Sequence, residues 1–346
     1  MATRCNSFLL VLVLGFLFMA SAAHAQLGLA GEEGALSIAL SPRTPNPGDT
    51  VNPTVQGALI DIPESTILWQ ASGKTIAQGK GVESASFKAG ALGTETRISV
   101  VVTTPEGTIA SAQATIIPTE LDLLVDSDSY TPPFYQGGVR ASVGTNLRLQ
   151  ALPRFKRGGV SVPAATLTYT WRRNGEILRN SSGLGKSAAS IPVQHLFGSD
   201  TVSVEAQSAD GLLAHTASLS FSASEPILML YEDHPRYGVL FHRALSPSAF
   251  ISETEMTFAA VPFFFQATRP SDPALNFAWR VNSATIPTNA ENPSELTIDA
   301  ENSSGIALVE LELTHASNYY LDLKGTWNIT FSSEAGSTDQ FHAATQ

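Results

Sequence analysis

The sequence of 346 residues offers one segment that resembles a nucleotide-binding motif. Gly183-Leu-Gly-Lys-Ser187 ends like a phosphate-binding loop, in which backbone amides and a lysine hold phosphate groups. That motif also needs a glycine five residues before Gly185, and this position is Asn180. The pattern of a strand followed by a helix is missing as well. We therefore expect a surface turn here and no nucleotide site.

Three carboxylates in the stretch around residue 125 could bind calcium. Asp122, Asp126 and Asp128 lie close together in sequence near a predicted domain boundary. Calcium takes six to eight oxygen ligands in a flexible geometry, and carboxylates at such a boundary could supply several. The alternative is an acidic strand end that leads into a turn, where Asp and Ser are common. Both interpretations stay open, and the second is favoured.

Other catalytic and metal-binding patterns are missing from the sequence. The histidines are scattered without the His-x-x-x-His spacing of a helical metal site, and Cys5 is the single cysteine. No Gly-x-Ser-x-Gly segment is present to form a nucleophile elbow. The sequence therefore predicts that the protein is not an enzyme, with no cofactor and no catalytic residue.

The N-terminal segment reads as a secretory signal peptide. Arg4 supplies a positive charge, Phe8–Ala20 is apolar, and Ala23-His24-Ala25 is a small-x-small cleavage signal before Gln26. The apolar run is shorter than the roughly 18 residues that span a bilayer. We predict that residues 1–25 are removed. The mature protein is then periplasmic, envelope-associated or extracellular, with no stable membrane span.

Composition limits the kinds of partner. The net charge is −11, and no run of Lys and Arg is present to displace counterions from nucleic acid phosphates. Charged residues make up 15% of the chain and hydrophobic residues 43%, enough to build packed cores. We therefore expect a folded protein that binds a protein or an envelope polymer of unknown identity, and no nucleic acid.

An internal repeat sets the number of domains. Three tryptophans recur at nearly equal spacing, and each precedes a pair of turn-forming residues, which favours a hairpin. An alternating strand and a second turn follow each hairpin. The tryptophans and their turns are Trp69 with Ser72-Gly73, Trp171 with Asn174-Gly175, and Trp279 with Asn282-Ser283.

The repeat predicts three units at 33–118, 119–224 and 225–333, followed by a disordered polar tail at 334–346. Short alternating runs between Gly, Pro, Asn and Asp, with no helical periodicity, are typical of a β-sandwich. We therefore predict an all-β chain of three tandem sandwiches after the signal peptide. Trp69, Trp171 and Trp279 are expected in the cores.

The chain resembles the tandem immunoglobulin-like and PKD-type domains of exported bacterial proteins. The resemblance depends on the tryptophan strand, its hairpin and a late alternating strand that ends in a turn, such as Val100–Gly107. It is also similar to uncharacterised exported proteins of Patescibacteria-type bacteria, on the segment Thr131-Pro-Pro-Phe-Tyr135. The paired cysteines and the tyrosine corner of antibody domains are missing. The resemblance implies a sandwich fold and a scaffold or recognition role, and it implies no particular ligand.

Aromatic residues cluster where the second and third units begin. We expect them to pack against the preceding unit and stiffen the linker; alternatively, they form an exposed surface for a polymer or partner. The candidate interface residues are Phe134, Tyr135 and Tyr237 from these clusters, and Phe264 from the run Phe263-Phe-Phe265, which breaks the strict alternation of a strand within the third unit.

Two functional hypotheses follow from these observations. The first is a non-enzymatic extracytoplasmic structural or interaction protein, a three-domain rod that spaces or presents a binding surface in a surface or envelope assembly. The alternative is a carbohydrate- or cell-envelope-binding module.

Overall fold

The computed structural model describes residues 36–251, 255–300 and 305–331. Within these ranges the regular structure consists of strands and one 3-10 turn, Ala164–Thr166. The predicted signal peptide and the polar tail lie outside the described residues. The chain forms three tandem immunoglobulin-like β-sandwiches, called here the first, second and third units.

The first unit packs a sheet of order β1-β2-β5 against a sheet of order β4-β3-β6-β7. Its strands are β1 (Ser37–Ser41), β2 (Thr50–Gln56), β3 (Thr66–Ala71), β4 (Lys74–Lys80), β5 (Phe87–Lys88), β6 (Thr96–Thr103) and β7 (Ile109–Ile116). Along β6, buried and partly exposed residues alternate, because one face of the strand covers the core and the other faces outward.

The second unit repeats this division with sheets of order β15-β9-β8 and β13-β12-β16-β17, and β14 also pairs with β12. A separate hairpin, β10-β11, follows β9. The strands are β8 (Glu120–Ser127), β9 (Asn146–Arg154), β10 (Lys156–Arg157), β11 (Val160–Ser161), β12 (Thr168–Arg173), β13 (Glu176–Ile177), β14 (Gly183–Leu184), β15 (Ala188–Pro192), β16 (Asp200–Gln207) and β17 (Ala214–Phe221).

The third unit has the same two-sheet arrangement, with four strands in its smaller sheet. Its sheets have the orders β19-β18-β21-β24 and β20-β26-β25-β22-β23, with β20 running parallel to β26. The strands are β18 (Ile227–His234), β19 (Gly238–Ala244), β20 (Ser248–Ile251), β21 (Glu255–Phe263), β22 (Leu275–Val281), β23 (Ala284–Ile286), β24 (Glu295–Asp299), β25 (Gly305–His315) and β26 (Asp322–Phe331).

A buried tryptophan occupies the same place in each unit. Trp69, Trp171 and Trp279 lie on β3, β12 and β22, and their side chains are at most 1% exposed. Each indole nitrogen donates a hydrogen bond to a carbonyl that follows the hairpin: Val82 at 2.9 Å, Lys186 at 2.9 Å and Pro293 at 3.1 Å. The bond satisfies the one polar group of the ring, so the indole can be fully buried without an energetic penalty.

The predicted hairpin turns have the backbone that their residues favour. Ser72, Asn174 and Asn282 have φ of 48°, 51° and 49°, and the residue that follows each also has positive φ. Two such residues in sequence match the type I′ turn, whose twist suits antiparallel strands. The Asn174 and Asn282 side chains also accept the backbone N–H of Thr201 and Leu308, at 2.8 and 2.9 Å. The asparagines thereby tie the turn to the next strand.

Each unit has its own hydrophobic core. The three clusters centre on the three tryptophans, and residues from both sheets contribute to each. Ile117 packs into the core of the second unit, although the predicted boundary at residue 118 assigns it to the first. The unit boundaries themselves stay predictions.

Candidate interaction surfaces

The three calcium candidates are engaged in contacts within the second unit. Asp122 and Asp126 project from the outer face of β8 and form ion pairs with Arg154 and Arg148, at 2.8 and 2.7 Å. Asp128 accepts the backbone N–H of Asn146 at 2.6 Å. Among residues 36–251, 255–300 and 305–331, no group of three or more acidic, His or Cys side chains is placed to hold a metal ion. The arrangement gives the calcium interpretation no support.

The segment that resembles a phosphate-binding loop forms part of a sandwich. Gly183 and Leu184 form β14 against β12, and the Lys186 ammonium donates to the carbonyl of Asn180 at 2.9 Å. The carbonyl of Lys186 accepts the indole N–H of Trp171. The segment is therefore a short strand, Gly183–Leu184, followed by an exposed turn at Gly185, in place of the turn alone that the sequence predicted.

The first junction, between the first and second units, is built around Thr119. This residue is fully buried, and its backbone N–H donates to the carbonyl of Pro45 in the first unit at 3.2 Å. Its hydroxyl donates to the carbonyl of Ala214 in the second unit at 2.8 Å and lies 3.3 Å from Nδ1 of His215. One residue thus joins both units through hydrogen bonds.

A close backbone approach reinforces the first junction. Gly93 has φ of +80°, and its N–H donates to the carbonyl of Pro118 at 3.0 Å. A Cβ atom built on Gly93 would lie 2.5 Å from Cβ of Lys156 in the second unit. Glycine is required here for both the backbone angle and the space.

The second junction, between the second and third units, contains backbone pairing. Tyr130 donates its N–H to the carbonyl of Phe265 and accepts the N–H of Phe264, both at 2.7 Å. Ser129 and Gln266 form an antiparallel β-bridge beside them. The chain after β8 is therefore hydrogen-bonded to the third unit as a strand would be.

Aromatic and cationic side chains cover the second junction. The Tyr135 ring contacts Phe263 and Phe264 edge to face, with ring centres 6.4 and 5.5 Å apart. Arg140 lies over Phe264, 5.5 Å from the ring centre, and its Nε donates to the Tyr135 hydroxyl at 3.1 Å. Tyr135 thus packs against the following unit, whereas the sequence suggested the preceding one, because the segment after β8 reaches forward to the third unit.

A buried amide adds a second point of contact. Asn318, between β25 and β26, donates to the carbonyl of Val143 at 3.4 Å and to Oε1 of Gln266 at 3.0 Å. The amide also lies against Gly144, whose φ is +85°. The second junction therefore draws on two separate loops of the third unit.

The predicted interface aromatics divide into two groups. Phe264 is buried and Tyr135 is partly exposed within the second junction, whereas Phe134 is 89% exposed and Tyr237 is 75% exposed. Tyr319 and Tyr320, which are not among the predicted interface residues, are 95% and 75% exposed beside Asn318. Their position next to a predicted turn was the signal that could have identified them.

The second unit carries an open groove on its smaller sheet. It has a volume of about 820 Å³ and lies over the outer faces of β8, β9 and β15, next to the loop before β15. Apolar side chains such as Leu124 and Val125 line it together with polar residues. These include Asp126, Arg148, Gln150, Asn180 and Ser190.

A further groove of about 810 Å³ adjoins the second junction. Val125, Leu147 and Leu219 of the second unit line one side of it, and Ile227 and Phe264 of the third unit line the other. The groove is largely apolar, so it is a second surface on which a ligand or partner could dock.

Burial and ion pairing shift the pKa values of several side chains. Burial lowers the pKa of the His215 imidazole, and Asp49, Glu120 and Asp122 act in the opposite direction. Hydrogen bonds from Arg173 and then Asn174 lower the pKa of Asp200. These shifts occur at a domain junction and beside a hairpin turn, so structural roles account for them without a catalytic one.

The described part of the chain contains no helix long and apolar enough to cross a membrane. This finding covers residues 36–251, 255–300 and 305–331 alone.

Comparison with known proteins gives distant structural likenesses. No protein-family model and no curated protein matches the chain. Among solved structures, the chain is similar to the central fibronectin-III array of RIM-binding protein, with 13% identity, a TM-score of 0.29, and 88% of this chain and 99% of that chain covered.

Two further structures are similar at the same level. Fibronectin(III)-like modules of Clostridium thermocellum CbhA have 12% identity and a TM-score of 0.27, covering 54% of this chain and 94% of that chain. The three N-terminal domains of the bacteriophage RB49 outer capsid protein Hoc have 14% identity and a TM-score of 0.24, covering 86% and 99%. Likeness this distant carries no inference about function, so the sandwich assignment depends on the sheet order and cores described above.

Proposed function

We propose that this chain is a non-enzymatic structural or interaction protein outside the cytoplasm. In this proposal its three sandwiches form a rod that spaces or presents a binding surface within a surface or envelope assembly. The observation that carries the proposal is that hydrogen bonds cross both junctions, through Thr119 at the first and through Tyr130 and Asn318 at the second.

These junctions favour a fixed arrangement of neighbouring units. Flexible linkers are exposed and make few contacts across a boundary, so relative domain motion is the usual expectation. Here Thr119 is fully buried, and Tyr130 makes two backbone hydrogen bonds to the next unit. Separating the units would break several hydrogen bonds, each worth about 1 kcal/mol, and would expose Phe264 to water.

Small-angle X-ray scattering of the purified protein tests the rod. A single compact particle of this length has a radius of gyration of about 20 Å. Three sandwiches placed end to end, each about 35 Å long at about 3.3 Å per strand residue, give about 30 Å. We expect the larger value with a scattering curve typical of a rigid particle. A value near 20 Å, or a curve typical of flexibly linked beads, would exclude the rod.

Export is a separate part of the proposal. It is supported by the apolar run Phe8–Ala20 and the cleavage signal before Gln26. N-terminal sequencing of the protein expressed with its leader should begin at Gln26, and a chain that keeps Met1 would contradict export by this route. The narrower likeness to PKD-type domains and to Patescibacteria-type proteins stays a prediction.

A carbohydrate- or envelope-binding module is the second candidate, and the groove on the smaller sheet of the second unit favours it. The carboxylate of Asp126, the guanidinium of Arg148 and the amide of Gln150 line this groove together with the apolar Leu124 and Val125. Such a mixture of hydrogen-bonding groups and apolar surface suits a sugar ring.

Retention on immobilised cell-wall polymers and soluble glycans tests this second candidate. We expect Gln150→Ala to reduce retention and Gln113→Ala, a change on β7 of the first unit, to leave it unchanged. Failure of the native protein to bind any of these polymers would remove the candidate and would leave the rod unaffected.

A further inference from the structure

A titratable side chain lies inside the first junction. His215, on β17, is 8% exposed and lies 3.3 Å from the hydroxyl of Thr119, the residue that bonds both units. Most histidines of the described chain are more exposed, including His195 in the same unit. The protonation state of His215 therefore bears directly on the contact between the first and second units.

The hydrogen-bond pattern fixes the tautomer of His215. The hydroxyl of Thr119 has one hydrogen, and this hydrogen is donated to the carbonyl of Ala214. The hydroxyl oxygen must then accept from His215, so Nδ1 carries the proton and Nε2 is unprotonated in the neutral ring. Acidification adds a proton at Nε2 and places a positive charge in a buried junction.

We propose that His215 makes the first junction a pH-dependent hinge, closed when the imidazole is neutral and loosened when it is protonated. Burial disfavours a cation when no counter-charge meets it closely, and opening the junction lets water reach the ring. The units remain folded in both states, because the three cores do not share the junction residues Thr119 and His215.

The three charges that face His215 lie on two elements. Asp49 lies on the loop between β1 and β2 of the first unit, and Glu120 and Asp122 lie on β8. All three favour the imidazolium. Arg154 on β9 forms ion pairs with both Glu120 and Asp122, at 2.6 and 2.8 Å, so much of their charge is already compensated. Burial is the larger influence and lowers the pKa of His215, so the ring is neutral at pH 7.5.

Opening of the first junction can be measured by fluorescence resonance energy transfer, which reports the distance between one dye on the first unit and one on the second. The exposed residues Lys74 and Glu176 are changed to Cys in full-length protein carrying Cys5→Ser, which leaves no other cysteine. We expect one narrow distribution of transfer efficiency at pH 7.5. The distribution should broaden as the pH falls below about 6.5, where histidine begins to take up a proton.

Three variants make the test specific. His215→Gln should keep the narrow distribution at both pH values, because its amide stays neutral. Thr119→Val, which lacks the hydroxyl, should give the broad distribution already at pH 7.5. His195→Gln, a change at an exposed histidine of the same unit, should behave like the native protein.

Near-UV circular dichroism of the tryptophans distinguishes loosening from unfolding. An unchanged spectrum at pH 5.5 together with a broadened distribution supports the hinge. A spectrum that collapses at the same pH, an unbroadened native distribution, or identical broadening in His215→Gln would overturn it. The rod proposal is tested separately by small-angle X-ray scattering at pH 7.5, where the first junction is closed.

Discussion

The guanidinium carbon of Arg140 lies 5.5 Å from the centre of the Phe264 ring, and the two residues belong to neighbouring sandwiches. Arg140 also donates to the Tyr135 hydroxyl, so one side chain holds the segment after β8 against the third unit. An exposed cation-π contact contributes about 0.5–1 kcal/mol and a hydrogen bond about 1 kcal/mol.

We therefore expect Arg140→Ala to free this segment locally. Chymotrypsin cleavage after Tyr135 should become about 2- to 10-fold faster, because cleavage of a locally opened segment follows its open population. Arg236→Ala, at an exposed arginine in the β18–β19 hairpin, is the control and should leave the rate unchanged. Equal rates in both variants would show that Arg140 does not hold the segment.

The buried tryptophans should dominate the stability of their units. Trp171→Ala leaves a large cavity and an unpaired Lys186 carbonyl, so we expect a loss of about 3–5 kcal/mol in the free energy of unfolding of the second unit. Denaturant titration followed by circular dichroism measures the loss. Phe197→Ala, at a ring that is 83% exposed, should change stability little. An unchanged unfolding profile for Trp171→Ala would count against the repeat.

The hairpin asparagines have two separable contributions. Asn174→Ala places alanine at φ of 51° and removes the hydrogen bonds to the Thr201 N–H and to the Asp200 carboxylate, so we expect a loss of about 2–4 kcal/mol. Asn174→Gly relieves the backbone strain and loses only the two side-chain hydrogen bonds. Its unfolding free energy should therefore lie between those of the native protein and the alanine variant, and the reverse order would refute this account.

The Arg173–Asp200 pair should make the second unit sensitive to acid. Its hydrogen bond to Arg173 lowers the pKa of Asp200 below its ordinary value of 3.8, so the folded state binds this proton less readily than the unfolded state. The stabilisation is present above about pH 4 and is lost as the pH falls through the lower folded pKa.

We expect Asp200→Asn to cost on the order of 1–3 kcal/mol at pH 7, and the cost should shrink below pH 4. Chemical denaturation across this pH range measures the difference. A cost independent of pH would mean that packing, not charge, accounts for it.

Substitution of Gly93 tests the close contact between its backbone and Lys156 at the first junction. Gly93→Ala introduces both backbone strain, about 1–2 kcal/mol, and a clash with Lys156. Gly107 has a similar φ of +85° with nothing within 4 Å of a built Cβ, so Gly107→Ala reproduces the strain without the clash. Both variants should lose similar stability in the first unit. Gly93→Ala alone should increase the radius of gyration or the flexibility measured by scattering.

The repeat and its turns were predictable because their causes are local. Alternation of apolar residues and the tolerance of Asn, Ser and Gly for positive φ act over a few residues, so they predicted the hairpins after Trp171 and Trp279. The predicted all-β sandwich class is confirmed, and it was predictable because it depends on the same local patterns. The acceptors of the indole N–H groups could be identified only from the structure, because the carbonyls of Lys186 and Pro293 lie 15 and 14 residues after their tryptophans in sequence.

The junctions could not be predicted from local pattern. Thr119 and His215 are 96 residues apart in sequence, and Asn318 is 175 residues from Val143. The direction in which Tyr135 packs depends on the fold of a unit that starts about a hundred residues later. The sequence by itself determined three sandwiches and their cores, because each is encoded by short-range periodicity and turn chemistry. Only the tertiary structure decided which residues join the units, since such contacts depend on how whole sandwiches are placed against one another.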